Sequence, residues 1–131
     1  MVESRKSLAE AIDVIEETYE FSLAYAAQGR RHGEEDAGIR ERLTRAEAAL
    51  GILASTTLDA IPAAGPQAAA AKAFLDVVKA DAARARAAFG FVLAQPSIGS
   101  QIVDNLNATT HMRTLLTDLF LLDEAVKISG I

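Results

Sequence analysis

Apolar residues recur along this chain at the three- and four-residue spacing of an amphipathic helix. No segment alternates apolar and polar positions with the period of two that a half-buried strand requires. Leu8, Ile12, Ile15, Tyr19, Leu23 and Ala26 predict a first helix over residues 4–28, with capping-box spacing at Ser7-Leu8-Ala9-Glu10, a competing start at Ser4 and a stop at Gly29. After the polar turn Arg30-Arg31-His32-Gly33, the acids Glu34, Glu35 and Asp36 suit the positive end of a helix dipole. Ile39, Leu43, Ala46, Leu50, Leu53 and Thr57 then carry a second helix over 34–60. Pro62, Gly65 and Pro66 break the pattern, and Pro66 fits the first turn of a third helix over 66–94, with Phe74, Val78, Ala85, Phe89 and Val92 on its face. Gln95-Pro96-Ser97 ends it, and Ile102, Leu106, Thr109, Leu116 and Phe120 predict a fourth helix over 98–128.

Four helices of similar length with short connections predict a single all-α domain, an up-down-up-down antiparallel four-helix bundle. Two of the stripes are interrupted by charge. On a wheel at about 100° per residue, Asp81 falls between Val78 and Ala85, and Arg113 between Thr109 and Leu116. Counted outward from the turn at Pro96, both lie at nearly the same height of an antiparallel hairpin, so a buried Asp81–Arg113 ion pair is the expectation.

The first and fourth helices also carry a second apolar line. It runs through Val14, Phe21 and Tyr25 on one, and through Ala108, Met112, Leu115, Leu119, Leu122 and Val126 on the other. Because these helices close the bundle as neighbours, their outer lines predict one continuous patch that forms a homodimer or partner interface. A deeply buried pair of helices is the alternative.

Composition narrows the chemistry. The chain has 131 residues and no Cys, which excludes a disulfide scaffold or a thiolate metal site, and its net charge of −5 repels nucleic acid and anionic membrane surfaces. The start lacks the apolar core of a secretory signal, and the longest uncharged run, Ala87–Val103, is interrupted by Gly, Pro, Ser and Gln. A cytoplasmic protein with no membrane span is the expectation. No His stands in the Glu-x-x-His spacing of a carboxylate-bridged metal bundle, so neither a metal nor another cofactor is expected, and Glu16 and Glu20 read as part of a solvated acidic face. No phosphate loop or nucleophile elbow is present.

His111 is the best single candidate for chemistry. Thr110-His111-Met112-Arg113-Thr114-Leu115 resembles the phospho-accepting box of sensor histidine kinases, which implies a phosphotransfer role for His111; that box places Arg three residues after His, and here it stands two after. The only basic cluster, Arg30-Arg31-His32 with Arg40, Arg42 and Arg45 beyond, reads either as helix-end charge compensation or as a docking site for an acidic partner. The primary expectation is a non-enzymatic interaction module, self-associating or binding another protein. A small-ligand bundle or enzyme with an interhelical cavity and a histidine phosphotransfer domain are the alternatives.

Overall fold

The computed structural model describes residues 2–55 and 66–128. Among them the chain is all helical, with five helices: α1 (Val2–Ala27), α2 (Ala37–Ser55), α3 (Ala68–Leu93), α4 (Ser100–Ala108) and α5 (His111–Ile128). α2 packs along both α1 and α3, while α4 and α5 each pack against α1 and α3.

The helix ends follow local chemistry. α1 extends past both Ser4 and Ser7 to Val2, and the chain leaves it through Gly29, whose φ of 65° is the left-handed conformation that glycine adopts without steric cost. α2 begins only at Ala37, because Asp36 serves as its cap: Oδ1 accepts the Gly38 N–H at 3.0 Å and the Asp36 carbonyl accepts the Ile39 N–H. Residues 56–60 of the predicted second helix lie outside the described residues. Pro66 sits in the turn before α3, with Gln67 as the cap residue, rather than inside its first turn.

The predicted fourth helix is two helices. α4 ends at Ala108, where the Thr109 hydroxyl donates to the Leu106 carbonyl at 2.7 Å, and Thr110 takes φ 62° before its carbonyl accepts the Thr114 N–H to open α5. A β-branched residue in the left-handed region costs about 1–2 kcal/mol, so the packing on either side must favour the break.

Burial shows why it does. In α4 the buried side chains are Ser100, Val103 and Leu106; in α5 they are Met112, Leu115, Leu116, Leu119 and Leu122. Continued as one straight helix at about 100° per residue, these two sets would point roughly 160° apart. Breaking the helix at Thr110 turns both inward. The line read as an outer face is thus the inner face of α5, while Phe120, predicted for the core, is 48% exposed and Thr109 is exposed.

α1 shifts in a similar way past its midpoint. Tyr19 is half-buried and Leu23 is exposed, and the buried line instead runs Leu8, Ala11, Ile12, Ile15, Thr18, Ser22 and Tyr25. Thr18 returns its hydroxyl to the Val14 carbonyl at 2.7 Å, and the Asn107 side chain on α4 donates to the Ser22 carbonyl at 3.0 Å. The core around them is apolar, with Ile39, Leu43 and Leu50 of α2, and Val78, Ala82, Ala85 and Phe89 of α3, essentially inaccessible.

Candidate functional site

The α1–α2 and α3–α4 connections meet at one end of the molecule and are tied into a polar knot. Tyr25 is fully buried; its hydroxyl donates to the Ile98 carbonyl and accepts the Asp36 N–H. Ser100 Oγ donates to the Tyr25 carbonyl and accepts the Arg30 N–H, each at 2.7 Å, and the Ser100 N–H returns to the Arg30 carbonyl at 2.8 Å. Gly99 lies against that same carbonyl: a Cβ there would fall 2.9 Å from Arg30 O, a backbone atom that cannot swing aside.

Glu35 and Arg40 complete the knot. Glu35 accepts the Ile98 N–H through Oε1 and the Arg40 guanidinium through Oε2. Arg40 also donates to the Leu93 and Gln95 carbonyls at 2.9 and 2.7 Å, and so satisfies the C-terminal end of α3. Burial alone would raise the Glu35 carboxyl, but the hydrogen bonds from Arg40 and Ile98 and the Arg40 charge outweigh it and hold the carboxyl below its usual range.

Beside this knot lies an open groove of about 390 Å³. One wall is Arg30, Arg31 and His32; the other is formed by Gln95, Pro96, Ser97 and Gly99 and by Gln101, Ile102 and Asn105 of α4. Among the described residues no carboxylate lines it. Arg30 is committed internally: it donates to Gln28 and to the Glu34 carbonyl, lies 3.7 Å from Asp36 and stands over the Tyr25 ring. Among the described residues the Arg31 guanidinium has no ion-pair partner and the exposed His32 ring has no hydrogen-bond partner. The Gly33 N–H next to them is fixed to Ser97 Oγ at 2.9 Å.

A second polar cluster lies between α3 and α5, and it corrects the expected ion pair. Asp81 is mostly buried, but its partner is Arg84 one turn along α3, at 2.9 Å, rather than Arg113. Across the seam, Asp81 meets Asp118, whose Oδ2 is enclosed without a protein donor. Burial, and then the hydrogen bond to Asp81 and its charge, push the Asp118 carboxyl up to about 7. Arg113 instead points outward on α5, because the break at Thr110 rotates the core face away from it. It lines a smaller groove of about 230 Å³ with Glu16, Tyr19, Glu20, Leu116, Thr117 and Phe120.

The predicted interface residues require correction too. Tyr25, Met112, Leu115, Leu119 and Leu122 are buried in this chain's own core, so they form no outer patch. Val14 and Phe21 are half-buried, with the Phe21 ring 6.0 Å from that of Tyr25 and beneath the Arg42 guanidinium at 4.4 Å; the Val126 side chain lies outside the described residues. The exposed large apolar residues are others, among them Ile52, Phe91 and Leu121.

His111 is the first residue of α5 and half-buried. Among the described residues no group of three His, Asp or Glu side chains is placed to hold a metal ion. No described helix is long and apolar enough to cross a membrane. Comparison of the chain with protein-family models, with curated proteins and with solved structures finds no match.

Proposed function

We propose that this protein is a non-enzymatic binding module that receives an acidic peptide segment of a partner protein in the groove at its loop end. One observation carries the reading: in a chain of net charge −5, Arg30, Arg31 and His32 come together on this groove with Gln95, Ser97, Gln101 and Asn105, and among the described residues no carboxylate lines it. The Arg31 guanidinium and the His32 ring have no partner among the described residues, whereas the Gln95 amide donates to the Phe91 carbonyl and the Gln101 amide to Asn105 Oδ1, so these bonds and the knot beneath fix the walls before anything binds. Such preorganisation lowers the ordering cost of association. A groove of this size accommodates a few side chains rather than a folded domain.

The test is fluorescence anisotropy of a labelled Glu/Asp-rich decapeptide, at low and high salt, against wild-type protein, Arg31→Ala, His32→Ala and a control with Lys72→Ala. Wild-type binding should weaken with salt, and Arg31→Ala should lower affinity about fivefold, the effect of losing roughly 1 kcal/mol from one solvated charge, while the control binds as wild type. Equal binding by the wild type and Arg31→Ala would remove the groove from consideration.

A further inference from the structure

The α3–α5 seam contains an arrangement that the groove does not use. Two carboxyl groups, Asp81 and Asp118, meet within hydrogen-bonding reach, and one oxygen of the pair, Asp118 Oδ2, is shut away from water with no N–H or O–H directed at it. A carboxylate oxygen in that position is costly, and two carboxylates in contact repel. A single proton between them removes both problems at once. It turns one member into a donor for the other and satisfies the enclosed atom. The two partners are not equivalent, because Asp81 Oδ1 already accepts the Arg84 guanidinium, whereas among the described residues no cation pairs with Asp118. The proton therefore belongs on Asp118.

We propose that Asp118 and Asp81 share one proton across the α3–α5 seam and that its loss sets two carboxylates against each other and weakens the hold of α5 on α3. The charged surroundings leave this pair isolated. From α3, Asp81 and behind it Arg84 face Asp118. From α1, Glu16 and Glu20 lie against Arg113, Leu116, Thr117 and Phe120, which at about 100° per residue occupy the opposite side of α5. On α5 itself the nearest titratable group on the same side is His111, two turns back. Among the described residues no cation besides Arg84 is placed to neutralise the pair. The raised Asp118 carboxyl is the behaviour expected of this geometry, and its sign is definite: between the ordinary aspartate value and the raised one the folded chain keeps a proton that the unfolded chain has lost, so stability falls as pH rises across that interval and levels off above it.

Carboxyl carbon NMR of the aspartates and thermal melting, both followed from about pH 4 to pH 8.5, test the proposal on wild type, Asp118→Asn and Asp81→Asn. The Asp118 carboxyl resonance in the wild type should titrate well above the ordinary aspartate range, and in Asp81→Asn its midpoint should move down by a unit or more. Wild-type Tm should fall by roughly 5 °C between mildly acidic and mildly basic pH, and Asp118→Asn, whose amide donates to Asp81 at every pH, should lose that slope. An Asp118 midpoint below about 5 overturns the shared proton, and this readout needs only the wild type. A midpoint near neutrality with a melting curve parallel to that of Asp118→Asn overturns the weakening of the seam.

Discussion

The knot at the loop end and the aspartate pair at the α3–α5 seam are both partly buried polar clusters, yet they are built on opposite principles. In the knot the Tyr25 hydroxyl, the Ser100 hydroxyl, the Glu35 carboxylate and the Arg40 guanidinium all have partners, most of them backbone groups from the other connection. At the seam, the Arg84 contact satisfies one side of the pair and leaves Asp118 Oδ2 with nothing. A fully satisfied network fixes geometry, whereas an incomplete one makes the structure depend on whatever completes it, here a proton. The first arrangement suits a surface that must hold its shape for a partner; the second suits a contact that responds to its surroundings.

Three substitutions break or sharpen this contrast. The largest effect belongs to Gly99→Ala, where the new methyl meets the Arg30 backbone carbonyl: chemical denaturation should show a loss of about 3 kcal/mol. Gly51→Ala is the control, because its Cβ would meet only the flexible end of Arg86. Next is Tyr25→Phe, which leaves the Ile98 carbonyl and the Asp36 N–H without their shared partner inside the protein and should cost about 2 kcal/mol in the same assay. The smallest is Glu35→Gln, expected to cost about 1 kcal/mol at neutral pH and to change the response to acid. Because the Glu35 carboxyl is held below its usual value, its contribution is present above that value and is lost as pH falls through the lowered one. Melting curves should therefore converge for wild type and Glu35→Gln on acidification. The knot weakens toward acid and the seam toward base, so a single pH series on the two asparagine or glutamine variants separates them. A Glu35→Gln deficit that stays constant down to pH 3 would show that the carboxylate charge adds nothing to the knot.

The helical character of the chain, most of the α3 core positions and the stop at Gly29 were legible in sequence, since each follows from spacing or from one residue's backbone preference. Val78, Ala85, Phe89 and Val92 are buried as their periodicity predicts. The break at Thr110 was not legible, because Thr109-Thr110 has neither Gly nor Pro to mark a stop, and the conformation at Thr110 is imposed by packing rather than preferred locally. A continuous wheel sends Leu119 outward and Arg113 inward, and the break reverses both. Asp81 did signal a buried polar contact, but its partner across the seam is a second acid, a choice that helix spacing cannot make. The loop-end knot was hidden for a different reason. Its members, Tyr25, Glu35, Arg40 and Ser100, are scattered over the sequence and meet only when the two connections close on each other.

Thr110 can also be described as a frameshift in the hydrophobic reading frame of the chain. Upstream of it the apolar code is counted from Val103 and Leu106; downstream it is counted afresh from Met112, and neither frame can be extended across the junction without translating core as surface. Any segment transplanted in place of α5, or any residue inserted or deleted between Asn107 and His111, must therefore keep that second start, or the leucines of the final helix will be spelled onto the outside of the molecule.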